Sequence, residues 1–571
     1  MNKLLLSWAA IMVAFSVFGQ GVVRRVNTVV ELQTIDPSSV DTSGRVTYEV
    51  LGYTSTNLWP TPRVARWDST SAATIDNVKY FATATSGRWV FDDVSNGNVD
   101  VTWANAIGNG AANDTAAIQL AASLVTAGNA LTAPPGRTFI TTDTITLTNN
   151  NVMVNFNGST VKFRADSRKP AFRIGPAPSL ITGLDFALTS TTNYFTGVTA
   201  STFAAGDMVL LYNNLESPAD YNPGLFAFVT AASGTTLTLD RFPYNSLQVT
   251  NALRFPAAPT GCVVENIVLD LSGATNGIGI SAYGKSHIVR GNKIYGTGAT
   301  NDPNYIGIEL RGQSITAHNN IVKNILDAGN ASDRAGYGIF LAGDNVMAFD
   351  NDVEDCKHCI STSERKAVSP EVKMVNNRIR QRPDWASLID SNGQYLFLGA
   401  VDTHANVRHA EIRGNDIQVG GRMALSLRNG NFDVLYNNLE VIEQSGLPFS
   451  QIGNGVGEAF ISRANFIGNR FTAPASSTQI YFDQSDYGVI GTHSNLIFQA
   501  NTFFGAPLVI NDFDSLYGTN TFTDVIISAN TFDRTNGTPL TLIGYVSNIV
   551  ISANIIYPYF EEFIQICVEV G

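Results

Sequence analysis

Residues 498–503 read FQANTF, residues 527–532 read ISANTF and residues 551–556 read ISANII. The shared phrase is an apolar strand, then asparagine, any residue, and an apolar residue. It runs back through FIGNRF, DVLYNNL, EIRGNDI, KMVNNRI, MAFDNDV, ITAHNNI and IVRGNKI to VVENIV. Its asparagines are Asn266, Asn292, Asn319, Asn351, Asn377, Asn415, Asn437, Asn469, Asn501, Asn530 and Asn554, spaced by 22 to 38 residues. A period in this range marks a solenoid.

The repeat is strand-rich and lacks a leucine ladder, which excludes helical and leucine-rich solenoids. An all-β fold, a parallel β-helix, fits. Each coil supplies two or three short strands, and each strand pairs with its equivalent in the next coil about 4.8 Å away. Asparagine suits the corner because it tolerates the left-handed region and hydrogen-bonds local backbone or its neighbour in the stack. Long spacings, such as the one before Asn415, mean loops bulging from the coil, and such loops tend to carry function.

Composition agrees. The chain has 571 residues, of which 15% are charged, and its apolar residues fall in short β-branched runs. Its net charge is −12. That excludes nucleic acid and an anionic membrane surface as main partners. The start, MNK followed by LLLSWAAIMVAFSVF, reads as a signal peptide over residues 1–19, too short for a comfortable membrane span. An exported, soluble protein is expected. Of the four cysteines, Cys262, Cys356, Cys359 and Cys567, only Cys356 and Cys359 make a close pair. One such pair is weak ground for zinc, and buried thiols in a β-core are expected. A Cys356–Cys359 disulfide is left open.

Upstream, GNGAANDTAAIQLAASLV (residues 108–125) contains a short amphipathic helix, with Ile118, Ala121, Ala122 and Val125 on one face and Asp114 placed to cap it. Pro134-Pro135-Gly136 then turns the chain into the first strands. This stretch resembles the pectate-lyase superfamily, whose β-helices open with a Gly-Asp-Gly, Asp-Asp-Thr-Ala-Ala-Ile-Gln phrase and a Pro-Pro-Gly turn. Here the first acidic positions are Asn109 and Asn113, and Phe139 stands where a Tyr is usual. The preceding segment, VLGYTSTNLWPTPRVARWDSTS, is similar to the N-terminal part of phage tailspike-type depolymerases. The resemblance implies a right-handed, single-stranded parallel β-helix over residues 103–556, with an N-terminal capping helix. A small β-rich domain over residues 20–102 precedes it. Residues 203–242 read as a β-hairpin-rich insertion and residues 557–571 as a C-terminal cap or tail.

One strand per coil can be aligned by hand: IGIELRG, YGIFLAG, HCISTSE, GAVDTH and MALSLRN. With Ile308, Ile339, Ile360, Val401 and Leu425 inward, the outward residues are Glu309 and Arg311, Phe340 and Ala342, Ser361 and Ser363, Asp402 and His404, and Ser426 and Arg428. Asp402 and His404 then share an outer face, with Arg428 one coil on. That set suits β-elimination of a uronate polymer. A base removes the proton α to the carboxyl group, a cation holds the enolate-like charge, and an acid protonates the leaving oxygen. His404 is the expected base or acid, Asp402 its hydrogen-bonding neighbour and Arg428 the clamp. The Asp-x-His pair is similar to one in mannuronan C5-epimerases. Those place a Tyr three residues before the Asp, where this chain has Gly399, and the nearest tyrosine is Tyr395. A surface salt bridge is the structural alternative.

From Arg365 to Arg428 there are ten basic and six acidic residues, on an otherwise acidic chain. Lys366, Arg380, Arg382 and Arg408 are expected to bind an anionic polymer, with Trp385 as a sugar-stacking platform. Asp350, Asp352, Glu354 and Asp355 offer oxygen ligands of the kind Ca²⁺ takes, though no cofactor is required and no metal site is assigned. Glu364 and Asp390 are the candidate carboxylates for hydrolysis. The expected function is action on an acidic polysaccharide, by lyase-type elimination. The alternatives are a glycoside hydrolase, an epimerase-like enzyme or a non-catalytic tailspike- or adhesin-like glycan binder, as monomer or homotrimer. Fold alone does not choose among them.

Overall fold

The computed structural model describes residues 23–36, 47–83, 86–93, 97–165, 168–196, 202–213, 224–243, 246–297, 304–326, 336–362, 368–383, 399–403, 407–420, 423–427, 430–442, 450–452, 461–473, 480–482, 492–505, 507–511, 521–533, 538–557 and 564–568. The segment read as a signal peptide lies outside them. No helix among the described residues is long and apolar enough to cross a membrane. The chain divides into two compact units, residues 1–140 with 154–159, and residues 141–153 with 160–571.

In the first unit Val23–Thr28 pairs parallel with Thr47–Thr54, which pairs antiparallel with Asn57–Asp68, and that in turn with Arg88–Phe91. The sheet closes on a core of Tyr48, Val50, Trp59, Phe81, Trp89 and Phe91. The helix Thr115–Leu124 follows, and its buried residues are Ile118, Ala121 and Ala122, the expected face. Asp114 sits at the N-cap but makes no side-chain cap bond. Its carboxylate accepts instead from the Ile107 and Ile140 amides, at 2.6 and 3.4 Å, so it ties two other segments together.

The second unit is a parallel β-helix. A coil is three short strands, for example Gly277–Lys285, Ile288–Arg290 and Lys293–Tyr295. Each pairs in parallel with its counterpart in the next coil, Asn304–Gln313, Thr316–His318 and Ile321–Lys323. We call these the first, second and third faces. Inward apolar residues stack coil on coil. On the third face Phe471, Phe503 and Phe532 lie 5.0 and 4.7 Å apart, near parallel.

The corner between the second and third faces carries the repeat. Asn292, Asn320, Asn351, Asn377, Asn415, Asn437, Asn469, Asn501 and Asn530 are buried, and each passes an Nδ2–H to the Oδ1 of the next, ending on Asn554. The second Nδ2–H goes to a carbonyl of the preceding coil, as from Asn415 to Met374 at 2.8 Å. Each Oδ1 also takes a backbone amide, as Asn415 does from Asn377 at 2.8 Å. The column satisfies itself, which is the condition for burying amides without large cost. Two positions of the sequence reading shift by one. Asn266 and Asn319 occupy the residue before the ladder, where φ is +55° and +54°, and the ladder members are Asn292 onward with Asn320. The left-handed residue also accepts Asn, so an Asn-Asn pair is ambiguous in sequence.

Between coils, residues 179–255 form a six-stranded sheet that includes Ser179–Leu188, Met208–Tyr212, Leu225–Ser233 and Leu247–Phe255, paired antiparallel. One of its faces has its own core of Leu188, Val209, Leu211 and Val249. The other, with Met208, Leu210, Phe226 and Phe255, packs on Tyr283 of the first face. Arg241 reaches Asp344 at 2.9 Å, a second tie to the coils.

Candidate functional site

The hand alignment of the first face matches the register. Ile308 pairs with Ile339, Ile339 with Ile360, Ile360 with Val401, and Val401 with Leu425. The outward row is therefore Ser281, Glu309, Phe340, Ser361, Asp402 and Ser426. Outward here does not mean exposed. Glu309 is 4% exposed, Phe340 2%, Ser361 0% and Asp402 0%. At the Tyr283 end the antiparallel sheet supplies the cover, and a solvated strand face is the wrong picture of this row.

The structure gives Asp402 a histidine partner 44 positions away in sequence. The Nδ1 of His358 lies 3.2 Å from Asp402 Oδ2 and 3.1 Å from the Gly399 carbonyl. The hydrogen bond to the Gly399 carbonyl places the proton on Nδ1, with the Asp402 carboxylate alongside as a charge contact, so Nε2 is the basic nitrogen of the neutral ring. His404 and Arg428 lie outside the described residues, as do Lys366, Trp385, Glu364, Asp390 and Tyr395. Tyr337 stands on the other side of His358, ring centroids 5.3 Å apart, and Phe340 is 5.8 Å from Tyr337. Ser361 Oγ and Thr362 Oγ1 are buried with no hydrogen-bond partner among the described residues.

Two coils toward the N-terminus the same row carries a second charged centre. Glu309 accepts from Ser281 Oγ at 2.6 Å, Tyr283 Oη at 2.8 Å and Arg311 Nε at 2.7 Å. Burial pushes the Glu309 carboxyl up, but the Arg311 charge and these hydrogen bonds outweigh it and hold the group below the usual carboxylate range. Burial and the Glu309 charge push the Tyr283 hydroxyl up. The Arg311 guanidinium also lies over Phe340 at 4.8 Å, so the two centres are linked through aromatic rings.

Of the expected anion-binding residues, the described Arg380 and Arg382 do not join this row. Arg380 is on the third face and pairs with Asp416, and Arg382 pairs with Asp355 at 3.4 Å. Arg378 bridges Asp352 and Glu354, Lys373 pairs with Glu371, and Arg413 with Glu411. Local carboxylates thus pair with five of the ten basic residues in the sequence count, all among the described residues. The same pairs occupy Asp352, Glu354 and Asp355, the acidic cluster set against Ca²⁺. Arg408 is exposed at the turn before His409–Arg413, where its backbone bonds Ser369 and Asn431. His409 pairs with Asp433 at 2.9 Å. Cys356 and Cys359 are buried free thiols flanking His358, and burial pushes the Cys359 thiol up.

His287 is the other buried histidine among the described residues. Its Nδ1 accepts from the Cys262 amide at 3.1 Å, and its Nε2 meets the Tyr283 carbonyl at 3.2 Å. Both nitrogens are committed and burial lowers the pKa to about 4, so His287 is a structural neutral imidazole.

Comparison with known proteins bears on the fold. No family model matches the chain, and no curated protein matches it in sequence. Among solved structures it is similar to the tailspike protein gp49 of Pseudomonas phage LKA1, with a TM-score of 0.50 and 15% identity over 82% of this chain and 83% of that one. The tailspike Gp54 of Acinetobacter baumannii bacteriophage AP22, solved with capsular saccharide, has a TM-score of 0.45 and 13% identity over 85% and 81%. PfbA, a surface adhesin of Streptococcus pneumoniae, has 0.41 and 11% over 82% and 91%. At such identity the likeness to gp49 is one of fold and carries no residue role across.

Proposed function

We propose that this chain is an exported, carbohydrate-active β-helix protein that cleaves an acidic polysaccharide by β-elimination on its first face. The observation that carries the reading is the buried His358–Asp402 pair at 3.2 Å. Asp402 orients the imidazole and stabilises its cation, the role a carboxylate plays behind any catalytic histidine. His358 Nε2 takes the proton α to the uronate carboxyl. The carbon–hydrogen electrons form the new double bond, the glycosidic oxygen leaves, and an acid returns a proton to it. His404 and Arg428 follow Thr403 and its partner Leu427, so they enter as returning acid and carboxylate clamp on the register alone. Tyr337 and Phe340 supply apolar ring surface beside the pair. The tailspike-like fold is consistent with a glycan partner but does not select the chemistry.

A second reading has a specific observation behind it. Asp402 is wholly buried, as expected if the pair holds the coil and the protein only binds glycan. One experiment separates the two. The mature chain is incubated with alginate, pectin and other uronate polymers, and the ultraviolet absorbance of the unsaturated product is followed. Rising absorbance that His358→Gln lowers about 10²- to 10⁴-fold, with an unchanged unfolding midpoint, supports elimination. Absence of both absorbance and new reducing ends leaves the binding reading.

A further inference from the structure

The first unit holds a cavity of about 490 Å³, lined by Thr47, Pro60, Thr61, Pro62, Arg63, Val64, Arg66, Asp92, Asp93, Asp100 and Trp103. Its size lies in the range of small-ligand sites. The sequence explains its shape. Val50 pairs with Arg63 and Gly52 with Leu58, so the strand Asn57–Asp68 carries extra residues there and bulges outward. The Trp59 indole donates to the Thr102 carbonyl at 3.0 Å, fixing the bulge to the turn Val101–Ala104.

The back wall is a rigid cation. Arg63 is 3% exposed, and its guanidinium lies 4.3 Å from the rings of both Phe91 and Trp103. Asp93 holds it through two bonds of 2.7 and 2.9 Å, and it donates to the Val78 carbonyl at 3.0 Å. Its Nη1 has no hydrogen-bond partner among the described residues. Arg66 and Asp92, paired at 2.6 Å, form the rim. Arginine donors and aspartate acceptors line the cavity together with Pro60, Pro62, Val64 and Trp103. Two arginines against three aspartates disfavour an anion; Arg63 and Arg66 pair with Asp93 and Asp92, and the third carboxylate, Asp100, accepts from the Thr102 amide and hydroxyl at 2.8 and 2.6 Å. Groups that donate and accept at once, set on a flat apolar ring, are the complement of this lining.

We propose that this cavity is a binding site for one neutral pyranose unit of a glycan. The sugar hydroxyls bridge Arg66, Asp92 and Asp100, and the ring carbons pack on Pro60, Pro62 and Trp103. The site is independent of the His358–Asp402 pair.

The test titrates the full chain with glucose, galactose, mannose, N-acetylglucosamine and their disaccharides, using saturation-transfer NMR and tryptophan fluorescence. Saturable binding of at least one neutral sugar is expected, weakened about tenfold in Arg66→Ala, which removes about one hydrogen bond's worth of affinity. Thr61→Trp fills the mouth from an exposed position and is expected to abolish it, whereas His358→Gln leaves it intact. No saturable signal from any sugar overturns the proposal. So does binding that survives Thr61→Trp in a folded chain.

Discussion

Two buried polar rows run along the same β-helix and are built on opposite principles. The corner row repeats one residue, asparagine, through ten coils, and each side chain satisfies the next. The outward row of the first face changes at every coil, from Ser281 to Glu309, Phe340, Ser361 and Asp402. A row that only holds a solenoid together gains from repetition, because every coil poses the same problem. A row that varies while staying buried, with ionised groups in it, costs desolvation at particular places, and that pattern is found at sites.

The largest expected break is in the variable row. Glu309→Leu leaves Arg311 buried without its partner and should cost up to about 5 kcal/mol, read as a fall in the urea midpoint. The sign for the intact pair is fixed by the depressed Glu309 pKa. Its contribution is present above pH 4.5, the ordinary glutamate value here, and is lost as the pH falls through the lower folded value. A flat acid limb in wild type would show that the pair adds nothing.

Next comes the ladder. Asn415→Leu removes the partner of the Asn377 amide and strands the Met374 carbonyl, for a loss of about 4 kcal/mol by the same titration. Any catalytic rate per folded molecule should be unchanged. A variant that stays as stable as wild type but turns over differently would reverse the roles assigned to the two rows.

His287 sharpens the comparison through pH. Its folded pKa of about 4 lies below the ordinary 6.5, so the unfolded chain binds the extra proton between those values. Stability is therefore full above pH 6.5 and falls by about 3 kcal/mol on going down to pH 4. His287→Gln should lose that part of the slope. The smallest effect belongs to the third face, where Arg378→Ala breaks half-exposed pairs with Asp352 and Glu354 and should cost less than about 1 kcal/mol. A larger loss in differential scanning calorimetry would mean that the charged exterior contributes more than either buried row implies.

Much of this was legible in sequence, for identifiable reasons. The asparagine period gave the solenoid, and strict inside–outside alternation gave the register from Ile308 to Leu425 residue for residue. Asn266 and Asn319 were misplaced by one because the left-handed corner residue and the ladder residue accept the same side chain. The burial of the outward row was not legible, since alternation says which way a side chain points and not what lies over it. His358 was hidden between two cysteines and read with them. Its pairing with Asp402 depends on a coil-to-coil step that no local motif records. Arg380 and Arg382 looked available by charge counting, which is blind to Asp416 and Asp355 on neighbouring strands.

The corner column has one more property. Every side-chain amide in it donates toward the C-terminal coils, so the amide dipoles, each about 3.5 D, lie head to tail and add. Polarisation passes along such a chain, and each bond strengthens its neighbours. The column is a single electrical object whose Asn554 end, toward which the N–H groups point, is positive and whose Asn292 end is negative. Cutting it at Asn415 divides one long dipole into two short ones, and coils far from the cut would register the change in their ¹⁵N side-chain shifts.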